Sequence, residues 1–272
     1  MNTLNHKIDF AVVIAVSNAN PNGDPLNGNR PRENFDGFGE MSDVCLKRKI
    51  RNRLQDLGER IFVQSDDRAD DGFPSLRERA SACEELKKAE KDKDRAAFAQ
   101  AACKKWMDVR SFGQVFAFKD NDLSVGVRGP VSIHPAISVA PVEIESLQIT
   151  KSVNSVTDSK KSSDTMGTKH RVNHGVYVTY GSINCQLAEK TGFTEEDAQK
   201  IKEALISLFE NDASSARPDG SMEVLKVYWW RHNCAAGQYS SAKVHHTLQI
   251  GADGDSWTED LEGLAPEILN GR

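Results

Sequence analysis

The chain has 272 residues, enough for one large domain or two small ones. Its longest apolar stretch, Phe10 to Val16, is far too short to cross a bilayer, and the sequence opens with no secretory leader. Its five cysteines form no Cys-x-x-Cys pair, a pattern typical of a reduced protein with buried thiols. We therefore expect a cytoplasmic protein without a membrane partner.

The net charge of −5 argues against a nucleic-acid partner at first sight, but the charge is unevenly distributed. Residues 252–272 hold six acids and one arginine, and they are interpreted as an acidic tail. Lys47 to Arg53 contains five bases and no acid, and Lys151 to Gly175 is also basic. Because phosphate binding depends on local patches, these two segments are candidates for it.

The first elements are a buried strand over Ile8 to Ser17 and a long loop over Asn18 to Gly39. A helix follows, with Ser42 as its N-cap and Gly58 as its stop signal. Its apolar stripe is Leu46, Ile50, Leu54 and Leu57.

Cations surround this stripe, so the helix is expected to present charge on every face that meets solvent. Such a helix can neutralise several phosphates without distinguishing sequences. The alternative is a solvated face with surface ion pairs. Since the run contains no acid to pair internally, we favour phosphate binding.

Residues 65–105 are polar and predict an insertion, with a helix from about Ser81 to Met107. Strands are predicted over Trp106 to Phe118, Leu123 to Val142, Val176 to Leu187, Glu223 to Arg231 and Lys243 to Ile250. Residues 149–175 predict a protruding hairpin, and Thr194 opens a second helix with a capping box. The order favours an α+β fold: one domain over 1–272 with a ferredoxin-like or RRM-like antiparallel sheet.

Chemistry-bearing motifs are few. The segment from Arg110 to Phe118 partly matches an RRM strand signature, and Arg110 and Arg128 need partners if they lie amid apolar strands. Asp24, Asp36 and Asp43 could hold a metal, but turn and helix-start chemistry explains them better. No standard set of zinc ligands appears, so we predict neither a metal nor a cofactor.

Eight stretches together resemble the backbone subunits of Cascade-type CRISPR surveillance complexes, the "Cas seven" superfamily. These are Asn20–Pro25, Asp43–Asn52, Asp108–Gln114, Val127–Val131, Ile149–Asn154, Asp164–Gly167, Phe209–Pro218 and Tyr228–Trp230. The sequence looks closest to the subtype I-C branch, of the Csd/Csh type. The I-B branch is its nearest neighbour.

The resemblance implies a right-hand shape: an RRM-like palm, helical fingers at 65–105 and a β-hairpin thumb at 149–175. It also implies a non-catalytic protein of antiviral defence whose copies stack head to tail along a CRISPR guide RNA as a helical filament. The guide then pairs with a target DNA strand. Further partners are the guide-end capping subunit, the large subunit and the small subunit.

The resemblance carries RNA-binding roles onto particular residues. Lys47, Lys49, Arg51 and Arg53 fall on the guide-binding helix, and Met166 is the candidate wedge between bases. The remaining candidates are Asn20, Asn22, Arg110, Ser111, Gln114, Arg128, Lys151, Ser152, Lys169 and Arg171.

Two other functions stay open. One is a metal-dependent endoribonuclease of the same superfamily that uses Asp24 or Asp36. The other is an interaction scaffold that never touches RNA.

Overall fold

A computed structural model describes residues 2–118, 123–150 and 166–272. It is a mixed structure of helices and antiparallel sheet, as predicted. The strands are β1 (Ile8–Ala19), β2 (Gly23–Asp24), β3 (Arg30–Pro31), β4 (Phe38–Met41), β5 (Gly113–Phe116), β6 (Val125–Arg128), β7 (Val131–Ile133), β8 (Ala136–Pro141), β9 (Ile144–Thr150), β10 (Met166–Ile183), β11 (Met222–Arg231), β12 (Leu248–Ile250), β13 (Ser256–Thr258) and β14 (Glu267–Asn270).

The helices connect and cover these strands. They are α1 (Asp43–Asp56), α2 (Leu76–Ser81), α3 (Glu84–Lys91), α4 (Arg95–Lys105), α5 (Met107–Phe112), α6 (Cys185–Thr191), α7 (Glu195–Ile206) and α8 (Ser241–His245). Short 3-10 helices lie at Pro25–Asn27 and Asp66–Arg68. In the described residues, none of these helices is long and apolar enough to cross a bilayer.

The main sheet has the strand order β14-β11-β1-β10-β8-β4, and β7 and β9 also pair with β10. Its pairs are antiparallel, and β1 lies between β10 and β11 over most of its length. The predicted strand at Ile8 to Ser17 is confirmed. Its near-continuous apolar sequence suits this place, because both faces of the sheet are covered there.

Alternation along β1 divides the core into two layers. Phe10, Val12 and Ile14 face a large cluster that includes side chains of α1, α6 and α7. Ala11 and Val13 face a second cluster with Tyr228, Trp230 and side chains of the C-terminal segment. Full burial of side chains of this size contributes roughly 1.5–3 kcal/mol each.

Two helix starts follow the sequence signals. The Ser42 hydroxyl accepts a hydrogen bond from the Cys45 backbone N–H at the start of α1. At α7, Thr194 and Asp197 form the predicted capping box. Both predictions are confirmed.

The single helix predicted over 81–107 is wrong: this range holds two helices, α3 and α4, and a third, α2, ends where it begins. Lys93 adopts a left-handed φ of 55°, and Asp94 caps the start of α4 with its side chain. The three helices and β5–β6 surround their own apolar cluster, built on Phe62, Leu86, Phe98, Trp106 and Phe116. The division of the chain into domains stays a prediction.

Three strand predictions also need correction. Trp106 to Phe112 is helical, with a break at Gly113, whose φ is 80°, and only Gly113–Phe116 is a strand. Of the aromatic side chains in this stretch, Trp106, Phe116 and Phe118 pack on the helical insertion, whereas Phe112 packs on the main core. The predicted strand at Leu123 to Val142 is three strands, β6 to β8. Residues 243–250 begin as α8, because Ser240 caps a helix there.

The loop predicted over 18–39 holds two short paired strands, β2 and β3, and leads into β4. The hairpin predicted over 149–175 begins earlier than expected, because its first arm is β9 (Ile144–Thr150), which pairs with the first half of β10. The segment predicted as an acidic tail, 252–272, supplies β13 and an edge strand, β14.

Candidate nucleic-acid interface

The start of α1 is held by the early loop. The Asn22 side-chain Oδ1 accepts hydrogen bonds from the Ser42 backbone N–H and hydroxyl, each at 2.9 Å. Asn20 is buried, and its Nδ2 donates to the Asn29 carbonyl at 2.6 Å. Its backbone N–H donates to the Ala216 carbonyl at 2.9 Å. These two asparagines therefore fix the loop, α1 and the 211–217 segment together.

Lys49 is the most buried cation of α1. Its side chain is 4% exposed and pairs with Asp212, and its ammonium lies 5.4 Å from the ring centre of Phe209. Burial lowers the pKa of Lys49, while the Asp212 carboxylate opposes that shift. Lys49 thus links α1 to the loop that follows α7.

Arg51 and Arg53 also have partners within the chain. Arg51 Nε donates to the buried Asp108 at 3.0 Å, and Asp108 also accepts the backbone N–H groups of Phe62 and Val63. Arg53 donates to the Ser207 hydroxyl at 2.7 Å and pairs with Glu210. The expectation that α1 presents free cations around its apolar stripe is wrong for these two residues, because acids from distant segments pair with them.

Lys47 and Arg48 lie on the more accessible side of α1. Lys47 pairs with Asp43 one turn earlier at 3.0 Å. Arg48 donates to the Val63 carbonyl at 2.6 Å and to Asn52 at 3.4 Å, and it makes no ion pair with a described residue. Arg48 belongs to the predicted basic run but not to the individually named RNA-binding residues, and it is the one α1 cation without an ion pair to a described residue.

A cleft of about 600 Å³ lies between α1, the Asp66–Arg68 helix and the 211–217 loop. Four cations and two acids line it, so its local charge is positive although the chain is acidic. The charged lining residues are Arg48, Lys49, Arg68, Arg217, Asp67 and Asp212. Such a polar, cationic cleft suits phosphate oxygens.

Sequence reasoning missed Arg68 and Arg217. Arg68 pairs with Asp56 at 2.6 Å and donates to the Asn211 carbonyl, and Arg217 contacts Asp212 at 3.2 Å. The available signal was the small polar run from Asn211 to Ser215 after a helix, which is typical of a binding loop.

The hairpin reaches the same loop. Lys169 Nζ donates to the Ser215 carbonyl at 2.7 Å, and Arg171 pairs with Glu145 across the hairpin at 2.7 Å. Met166 is 63% exposed. Lys151 and Ser152 lie outside the described residues. The hairpin base, the early loop and the cleft are therefore contiguous.

The remaining predicted residues lie elsewhere. Arg110 is on α5, not on a sheet strand, and makes a two-bond pair with Asp197 at 3.0 and 2.7 Å. Ser111 is fully buried on the same helix. Gln114 is on β5, and Arg128 on β6 is exposed rather than buried among apolar strands. The structure does not bring these four residues to the α1 cleft, and the strand signature assigned to this segment is wrong.

The early-loop aspartates occupy turns. Asp24 Oδ1 accepts the Leu26 backbone N–H at 3.2 Å and contacts Arg32 at 3.4 Å. Asp36 lies in an exposed turn where its N–H donates to Asn34. Among the described residues, no three His, Cys, Asp or Glu side chains are grouped as metal ligands.

Comparison with known proteins gives consistent matches. The family described as "CRISPR-associated protein Cas7" matches residues 6–262. A "CRISPR-associated protein Cas7" from Haloferax volcanii is 27% identical, over 98% of this chain and 82% of the relative. A solved chain of a "CRISPR RNA-guided surveillance complex, pre-nicking" superposes with a TM-score of 0.54 at 18% identity, covering 92% of this chain and 84% of the other. This last similarity concerns the fold alone.

Proposed function

The chain belongs to the family of CRISPR-associated protein Cas7, and we propose that it is a non-catalytic, guide-RNA-binding backbone subunit of a Cascade-type surveillance complex. We assign it to subtype I-C. In this proposal several copies stack along one guide RNA and present its bases to a target DNA strand. The guide-end capping, large and small subunits complete the complex.

Elements of this chain are candidates for the palm, fingers and thumb of the proposed subunit. The strand order β11-β1-β10-β8, with α1 and α7 on one face, suits an RRM-like palm. Helices α2 to α4 suit the fingers, and the β9–β10 hairpin suits the thumb. The open sheet face of an RRM is not the proposed RNA surface, because Tyr228 and Trp230 are buried there.

The observation that carries the proposal is the cationic cleft beside α1 and its continuity with the hairpin. Arg48, Arg68 and Arg217 offer guanidinium donors, which bind phosphate oxygens well. Contacts of this kind hold a backbone of any sequence. Base pairing with the target would then carry the sequence information, as in other guide-RNA effectors.

Expression of the full chain with a CRISPR array tests the function directly. We expect the purified protein to retain guide RNA, visible in its absorbance ratio, and to form particles larger than one subunit. Protein that is free of nucleic acid and lacks salt-dependent RNA affinity would instead support the scaffold alternative.

Substitutions at the cleft test the site. Arg48→Ala and Arg217→Ala should each weaken RNA binding equally for all sequences and reduce the salt slope by about 1. The matched control is Lys91→Ala, which removes an exposed cation from α3. Equal effects of the cleft and control variants would show that only overall charge matters.

The catalytic alternative has its own experiment. Pure protein, labelled guide or target RNA and Mg²⁺ should yield no specific cleavage. Specific cuts that disappear in Asp24→Ala or Asp36→Ala would establish the endoribonuclease instead.

A further inference from the structure

The edge of the main sheet at β14 is open in the described residues. β14 pairs with β11 on one side, and no described strand lies on the other. Half of the backbone N–H and C=O groups of such a strand point outward and can pair with another extended segment. Ile268, at the middle of β14, is 52% exposed.

Strand β13, which bonds to the strand next to Ile268, carries an exposed aromatic side chain. Ile268 is directly across from Tyr228, whose hydroxyl bonds the Ser256 hydroxyl at 2.8 Å. The next residue, Trp257, is 60% exposed, whereas the other three tryptophans are at most 5% exposed. Exposed tryptophan is strongly enriched among the residues that dominate protein interfaces.

The segment that carries Trp257 and Ile268 is rich in carboxylates. Five exposed acids of the segment make no ion pair with a described residue: Asp253, Asp255, Glu259, Asp260 and Glu262. The sixth, Glu267, points to the opposite face and pairs with Lys202 at 2.7 Å. We call Trp257, Ile268, β14 and the five unpaired acids the acidic edge.

The charge of the acidic edge decides between classes of partner. Phosphates of RNA or DNA would be repelled, although an exposed tryptophan alone could stack on a base. A basic protein segment would gain from the same charges, chiefly in association rate and specificity. An extended segment would also satisfy the open backbone groups of β14.

A second copy of this chain is a poor match. The described strand cations, apart from Arg128, are already engaged within their own chain. They are Arg30 with Ser146, Lys169 with Ser215, Arg171 with Glu145, Lys226 with Ser256 and Arg231 with Glu195. Two acidic edges facing each other would repel.

We propose that the acidic edge is a docking site for a basic, extended segment of a different protein, which adds a strand to β14 and covers Trp257. This inference does not depend on guide-RNA binding. It assigns the acidic edge a partner of different chemistry from the one that suits the α1 cleft.

A peptide experiment on the full-length chain tests the chemistry. The probe is a peptide of alternating valine and lysine, and its control alternates valine and glutamate. The lysine peptide should protect Trp257 from acrylamide quenching, and Trp257→Ala should weaken its binding by about 30-fold. Equal binding of both peptides, or no protection by either, would overturn the proposal.

A cross-linking experiment identifies the natural occupant. A photoreactive phenylalanine derivative replaces Trp257 in the chain co-expressed with its complex. A cross-link to a different protein, lost when Asp255→Asn and Glu259→Gln are added, supports the proposal. A cross-link to RNA or to a second copy, or none, overturns it. Retention of guide RNA by Trp257→Ala, measured in parallel, keeps this result separate from the proposed RNA-binding function.

Discussion

Helix α1 and the acidic edge each carry an excess of charge of one sign, and they use that charge in opposite ways. All five cations from Lys47 to Arg53 donate to partners within the chain. Five of the six acids after Ala252 make no ion pair with a described residue. A run of charge in the sequence therefore does not measure the charge that a partner meets, since acids distant in the chain can neutralise it.

The largest expected effect is at the buried pair of α1. Lys49→Ala leaves the Asp212 carboxylate without its buried partner, and the side chains of the pair are only 4% and 14% exposed. Breaking such a pair should lower the free energy of unfolding by about 3 kcal/mol. Urea denaturation followed by circular dichroism measures this.

The double variant Lys49→Met with Asp212→Leu is the control, because it removes both charges and keeps the volume. We expect it to recover part of the lost stability, because the part-exposed Arg217 also loses its contact with Asp212. If Lys49→Ala were as stable as the parent while losing RNA affinity, Lys49 would be a ligand-binding rather than a structural cation.

The sequence predicted those features that depend on nearby residues. The central strand, the Ser42 cap and the Thr194 capping box are local patterns, and each appears in the structure. The second arm of the hairpin likewise lies in a segment that was predicted from its low aromatic content and its many Ser, Thr, Lys and Gly residues.

Features that depend on distant residues were missed. Lys49 and Asp212 are 163 positions apart, and Arg51 and Asp108 are 57 apart. The segment from Trp106 to Phe112 was predicted as a strand but is helical. Trp106 and Val109 pack on the helical insertion, whereas Met107 and Phe112 pack on the main core. Arg68 and Arg217 reach the cleft only through the tertiary fold, which no local window contains.

A smaller effect on the Tm is expected from pH, through the buried groups around Asp9 of β1. Asp9 on β1 contacts Lys7, His232 and His245, which tie α8 and its flanking loop to the sheet. Burial lowers the pKa of His245 from its ordinary value of 6.5, against the opposing effect of Asp9. The groups facing His245 are Asp9, Lys7, His134, Tyr180 and the Gly181 carbonyl.

Because the folded state binds this proton more weakly, the stability from neutral His245 is present above pH 6.5 and decreases as the pH falls below it. The Tm should therefore fall between about pH 7.5 and about pH 5.5. His245→Gln, which can still donate to Gly181, should flatten this dependence. An unchanged pH profile in that variant would assign the effect to other groups, such as His6, whose pKa burial also lowers.

The smallest effects on the free energy of unfolding are expected at accessible charges of α1 and of the acidic edge. Two variants there distinguish the roles of these two regions. Lys47→Ala removes an ion pair with Asp43 one turn earlier on α1, which should cost about 0.3 kcal/mol of unfolding free energy. Asp255→Asn with Glu259→Gln removes two unpaired acids and should change that free energy by less than about 0.5 kcal/mol. The second variant should nevertheless lose affinity for the lysine peptide, whereas Lys47→Ala should not. Peptide titration beside urea denaturation measures both quantities, and a large stability loss in the second variant would mean that these carboxylates hold the fold rather than a partner.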